Sequence, residues 1–264
     1  MATRRNTGVS MWLKVHLCVV YAFLFVPIVL LAVLSFNAAQ AIGLPMRGLT
    51  LDWYWTAISN TRVLTAFINS VEVGAAVAVL STALGTLAAL ALRNGLVMRS
   101  WFVQLALLPL VTPSIVLGIA LFMGFSFLGL PRGLFGSVLV GHVTFTIPYV
   151  FLIVSARLSG MDTSLEQAAA DLGANQVQAF FKVTFPLLQP AIVGGGLLVF
   201  LLSFDEFIRT FFLAGLDQTL PLAIWNLMFD ALTPEIAALM TTLLVFNVFL
   251  LLTGQWLLRR TAGS

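Results

Sequence analysis

Met161-Asp162-Thr163-Ser164-Leu165-Glu166-Gln167-Ala168-Ala169-Ala170-Asp171-Leu172-Gly173 is a polar, alanine-rich stretch between two long apolar runs. Its start and stop signals describe one short helix. Thr163 and Glu166 have capping-box spacing, in which hydroxyl and carboxylate bond the open N-terminal amides reciprocally, with Asp162 as the competing cap. Gly173 stands where a positive φ ends a helix, a conformation only glycine adopts cheaply. The alanines keep the helix narrow, so another surface can approach it closely. A second amphipathic helix, about 176–184, precedes Phe185-Pro186 and leads to Pro190. From these residues alone, an ordinary amphipathic connector between two spans remains an open reading.

What lies on either side sets the class. Hydrophobic residues make up 60% of the 264-residue chain and charged residues 9%, too little polar surface for a water-soluble domain. Six runs reach the roughly 20 residues a helix needs to cross the hydrocarbon core. They cover 12–36, 68–92, 101–127, 133–156, 190–214 and 236–258, with Pro148, Pro186 and Pro190 blurring the ends of the fourth and fifth. The expectation is an all-α membrane protein, a single transmembrane domain over 1–264 with its core at 66–258. Ala39-Gln40-Ala41 resembles a signal-peptidase site, but the apolar run from Leu17 to Phe36 exceeds the roughly 7 to 15 residues of a signal h-region. It reads as an uncleaved first helix.

Basic residues orient the spans. With both termini cytoplasmic, Arg4, Arg5, Lys14, Arg93, Arg99, Arg157, Lys182, Arg259 and Arg260 fall inside, and Arg47, Arg62 and Arg132 outside. The inverted arrangement would translocate most of this charge. The segment 157–189 is then the main cytoplasmic loop, and 37–66, with Trp53, Tyr54 and Trp55, an outer loop dipping into the interface. Basic residues scattered over the ends of the runs argue against nucleic acid. A lone cysteine, Cys18, excludes an internal disulfide, and His16 and His142 lack suitably spaced partners for a metal. No His-rich, Cys or Ser/His/Asp cluster suggests a membrane-embedded enzyme. The lysines Lys14 and Lys182 are each followed by valine, so no phosphate-holding Gly-Lys-Ser/Thr loop exists here. Any ATP-derived energy must come from a partner.

Charges inside the spans are costly and usually face a cavity or one another. Asp205, Glu206 and Arg209 lie in the fifth run, with Arg209 four residues after one acid and three after the other, able to pair with either. One carboxylate is left over. With Phe204, Phe207 and Phe211 on one helical face, it forms a candidate site for an organic cation. An internal ion-pair network, or a position at the outer interface, explains the same residues. Glu72 is a weaker candidate, read as interfacial.

Glu166-Gln167-Ala168-Ala169-Ala170-Asp171-Leu172-Gly173, followed by Phe185-Pro186-Leu187-Leu188-Gln189-Pro190, resembles the EAA loop of permeases in binding-protein-dependent ABC importers. Gln167 occupies the acid-or-amide position and Phe185 replaces the usual leucine before Pro186. Ser203-Phe204-Asp205-Glu206, the Phe212-Leu213-Ala214-Gly215 step, Leu220-Pro221-Leu222 and Pro234-Glu235 are similar to PotC-type permeases of the spermidine/putrescine family, which have a MetI-like transmembrane domain. Arg209 departs from that pattern, where apolar residues are usual, and it bears on the charge of the solute. The resemblance implies that Glu166, Gln167, Ala168, Ala169, Asp171, Gly173 and Pro186 belong to a coupling helix and its flank, docked in a groove of a cytoplasmic ATPase. Closure of that ATPase would switch the cavity between inward- and outward-facing states. It further implies a homologous second permease subunit, two ATPase subunits carrying ATP and Mg, an extracytoplasmic binding protein and a bacterial inner-membrane location. The solute would be a polyamine or, with the same machinery, an amino-acid derivative, opine or phosphonate-type compound. A non-transporting scaffold would need no coupling helix.

Overall fold

The computed structural model describes residues 11–93, 99–230 and 233–262, all helix and connection apart from an isolated bridge between Asn37 and Leu49. Arg4 and Arg5 of the orientation argument lie outside the described residues, as do the side chains of Arg99, Arg259 and Arg260. The helices are α1 (Met11–Leu34), α2 (Asp52–Ser59), α3 (Thr61–Ala91), α4 (Arg99–Val111), α5 (Ser114–Phe127), α6 (Leu139–Ser159), α7 (Ser164–Asp171), α8 (Gln176–Ala179), α9 (Phe185–Phe204), α10 (Ile208–Leu213), α11 (Leu220–Asp230) and α12 (Pro234–Ala262). Among the described residues, five helical stretches are long and apolar enough to cross a membrane, or six if α4 and α5 count as one span. The expected span at 101–127 is that pair, bent by 108°. Pro113 explains the bend, because it has no N–H to donate and its ring clashes with the carbonyl four residues back.

The expected fifth span differs more. Helix begins at Gln176, widens into a π turn at Phe180–Thr184, runs on as α9 and stops at Phe204 rather than continuing to 214. The π turn ends two residues before Pro186, whose ring would clash with the carbonyl of Lys182 in α geometry, so the wider turn absorbs the misfit. At the far end Asp205 leaves the helix (φ −90°, ψ 1°) and α10 starts afresh at Ile208.

The chain forms two compact units, 1–60 with 227–245 and 61–226 with 246–264. In the first, the expected outer loop is knotted around buried Asn37. Its side chain donates to the Gly43 carbonyl at 3.0 Å and accepts from the amides of Ala39 and Arg47. Trp53 Nε1 donates to the Asn37 carbonyl and Tyr54 OH bonds Ser35, which turns both aromatics inward and leaves Trp55 exposed.

In the second unit α3, α6 and α9 pack on one another. Small residues let the backbones approach, since without a hydrophobic drive between helices in lipid, close packing must supply the attraction. A Cβ on Gly85 of α3 would lie 2.7 Å from Val150 Cβ and 3.0 Å from the Ile147 carbonyl oxygen of α6. Around that crossing, Ala89, Leu92, Val150, Phe151, Val154, Leu158, Leu188 and Val199 form one core. A second cluster, Val73, Val77, Leu134, Val138, Leu213, Ala214 and Leu222, gathers around the π turn Leu134–Val138 and α10.

Candidate functional site

Two places carry the candidate residues. The first is the hairpin between α6 and α9. Helix α7 buries none of its residues, and Gln167, Ala168, Asp171, Gly173 and Pro186 are exposed, with Glu166 and Ala169 half-buried. Leu172 at its tip is 90% exposed, an apolar side chain held in solvent on a polar segment. Gly173 has φ +84°, its amide donating to Ala170 O and that of Ala174 to Ala169 O, the two bonds of a Schellman motif. The helix stop read from the glycine is as expected.

The expected Thr163–Glu166 capping box does not form. Asp162 Oδ1 accepts from the Ser164 amide at 2.9 Å instead, and that bond lowers the Asp162 pKa below the usual carboxylate value. Glu166 Oε1 accepts from Arg93 Nη1 at 2.6 Å and from Thr184 Oγ1. These bonds lower the Glu166 pKa, Arg93 contributing most, so the carboxylate is ionised at neutral pH. The guanidinium of Arg93 brings an opposite charge that a local amide lacks, and Thr184 adds a second bond to the same oxygen. The capping box that does form, Asn175 with Gln178, opens α8, an Asn-x-x-Gln pattern the sequence reading passed over.

The second place is the break between α9 and α10. Arg209 is fully buried. Its Nη1 pairs with Glu206 Oε2, its Nη2 donates to Ser114 Oγ at 3.0 Å, and its guanidinium lies 3.7 Å from the centre of the Phe145 ring. Glu206 Oε1 accepts the Arg209 amide at 3.0 Å, capping the new helix. Of the two pairings open to Arg209, the structure has Glu206. Asp205 is the surplus acid, exposed, accepting from Asn247 Nδ2 of α12 at 2.9 and 3.1 Å.

The shared aromatic face is overturned by the break, which rotates the residues on either side of it apart. Phe204 is buried among Phe67, Phe200 and Phe246, whereas Phe207 packs on Phe211 and Trp225. Buried His142 braces the break from α6, with Nδ1 2.8 Å from Ser203 Oγ and Nε2 3.0 Å from Thr210 Oγ1. Because Thr210 spends its proton on the Glu206 carbonyl, His142 donates from Nε2 and accepts from Ser203 at Nδ1. It is a packed histidine, and Glu72 is exposed on α3. Asn247, Ser114, Phe145 and Thr184 escaped the sequence reading. Asn247 had a usable signal, an amide within an apolar run.

Comparison with known proteins supplies the wider frame. Residues 81–263 match the family described as binding-protein-dependent transport system inner membrane component. The chain is 36% identical to the spermidine/putrescine transport system permease protein PotC of Haemophilus influenzae, over 92% of this chain and 94% of that one. It is 34% identical to the putrescine transport system permease protein PotI of Escherichia coli, over 89% and 86% respectively. Among solved structures, that of a bacterial ABC transporter involved in alginate import matches with a TM-score of 0.71 at 18% identity, over 97% of this chain and 98% of that one. The inward-facing MetNI methionine ABC transporter gives 0.61 at 15% identity, over 81% and 99%. At such identities the structures speak for the fold. The chain thus belongs to the binding-protein-dependent transport system inner membrane component family, and it is a multi-pass bacterial inner-membrane transport permease that is not itself an enzyme.

Proposed function

We propose that this permease moves a polyamine of the spermidine or putrescine class inward, driven by ATP that a separate ATPase binds with Mg and hydrolyses. The observation that carries the solute class is the charge pattern at the α9–α10 break. Arg209 is buried and neutralised by Glu206, so it does not present a cation to the solute, while Asp205 is left exposed as an unbalanced carboxylate. Relatives named for spermidine and putrescine transport support the same reading. In cells carrying the cognate binding protein and ATPase, Asp205→Asn lowers radiolabelled spermidine uptake at limiting concentration on the order of tenfold, the value of one charge-assisted contact. Wild-type cells that accumulate an amino-acid derivative, an opine or a phosphonate but no polyamine would overturn the assignment. A scaffold would accumulate nothing.

The termini are cytoplasmic in this proposal, which places 157–189 on the ATPase side. Helix α7 then docks in the ATPase groove through its exposed face, with Leu172 as the apolar contact and Gln167, Ala168 and Asp171 around it. Two ATPase subunits, a homologous second permease and an extracytoplasmic binding protein complete the transporter. The hairpin shape depends on Gly173, since proline, fixed near φ −65°, cannot occupy φ +84°. Gly173→Pro abolishes ATP-dependent uptake. Pull-down of the ATPase with normal uptake in that variant would remove α7 from the coupling role.

A further inference from the structure

Helix α7 has no buried residue, so packing alone holds it only loosely to the rest of the chain. A groove of about 650 Å³ lies against it, lined by Leu90, Arg93, Glu166, Ala170, Phe181 and Thr184. Across that groove one carboxylate oxygen, Glu166 Oε1, accepts from two elements at once. One donor is Arg93, just past the end of α3; the other is Thr184, buried at the last position before α9. Both anchors run directly into the same core. Leu92 beside Arg93 and Leu188 one turn after Thr184 pack in a single cluster with Val150, Val154 and Leu158 of α6. Arg157 Nε closes the ring by donating to the Leu187 carbonyl at 2.9 Å, joining α6 to α9.

We propose that Glu166 is a positioning residue that ties α7 to α3 and α9 together, so that displacement of α7 reaches both spans as one movement. A packed interior is nearly incompressible, so a pull on Arg93 and Thr184 moves the shared core instead of being absorbed locally. The role is distinct from docking, because this carboxylate points toward the spans and is held there by bonds within the chain. It rests on the reading of 157–189 as the coupling segment.

The test uses the assembled transporter in proteoliposomes with its binding protein, spermidine as the probe, and two readouts: ATPase retained on the permease, and ATP hydrolysed per spermidine imported. Glu166→Ala retains the ATPase but raises the ATP-to-spermidine ratio roughly fivefold or more, the low end of an ordinary coupling energy. The exchanged pair, Arg93→Glu with Glu166→Arg, lowers the ratio again relative to either single change, a rescue that mere loss of fold would not show. Glu166→Ala with an unchanged ratio overturns the tie and leaves the transport function standing. Loss of the ATPase in that variant makes Glu166 a docking contact and also overturns it. If Glu166→Ala is not recovered, Thr184→Val, which keeps the ion pair, decides by the same ratio: a rise supports the tie and no change refutes it. Wild-type vesicles that hold no ATPase or import no spermidine sink the transport reading itself, and this inference with it.

Discussion

Gly85→Leu abolishes recovery of folded permease, and Gly85→Ala destabilises it by about 1–3 kcal/mol, the usual cost of overpacking. Even one methyl group at this position meets Val150 Cβ at 2.7 Å, the Ile147 carbonyl oxygen at 3.0 Å and the Phe151 amide nitrogen at 3.0 Å. Two of these atoms are backbone and the third is bonded directly to it, so no rotamer change relieves the clash and α3 must move off α6. Truncating the neighbour does not help: Val150→Ala keeps the offending Cβ. Gly124→Ala is the control, because a Cβ there meets nothing within 4 Å. Thermal unfolding of the detergent-solubilised protein reads the difference, and a Gly85→Ala variant that melts with the Gly124→Ala control would show the α3–α6 crossing to be looser than described.

Removing Arg209 has the second large effect. Arg209→Met leaves Glu206, whose side chain is 14% exposed, without its counter-charge, and breaking a buried pair from one side costs about 3–5 kcal/mol. The bond to Ser114 and the stacking on Phe145 are lost as well, which removes one tie from α10 to α5 and one to α6. Glu206→Gln alone is destabilising for the mirror reason, a buried guanidinium with no carboxylate. Combining Arg209→Met with Glu206→Gln recovers much of the loss, since the double variant leaves no uncompensated charge. Melting temperatures across the four proteins, treated as a double-mutant cycle, measure the coupling. Additive losses would remove the pair from the structural framework. Unchanged melting with lost uptake in Arg209→Met would place the guanidinium in the solute path.

These residues divide what a linear reading reaches from what it does not. Run lengths and the scarcity of charge made a helical membrane protein the readable outcome, because a bilayer leaves the backbone few ways to satisfy its own polar groups. Pro113 was visible in the sequence, but the size of the bend it produces depends on what α4 and α5 pack against. Gly173 was legible because its requirement is local: a positive φ is a property of one residue and its missing side chain. Glu166 was not, because a local capping partner and a guanidinium 73 residues away compete for the same carboxylate, and only folding brings the second within reach. Similarly, the Asp205-Glu206-Arg209 spacing allowed two pairings and an unbroken helix. What chose Glu206, freed Asp205 and ended α9 was a set of distant groups, with His142 on Ser203 and Thr210, Ser114 on Arg209, and Asn247 on Asp205. The sequence by itself therefore determined the apolar, all-helical class, the helical hairpin and its glycine stop, each set by composition or by interactions within a few residues. The tertiary structure alone decided which charges are spent on one another and which remains exposed, because pairing energies at buried sites depend on partners that sequence distance does not order.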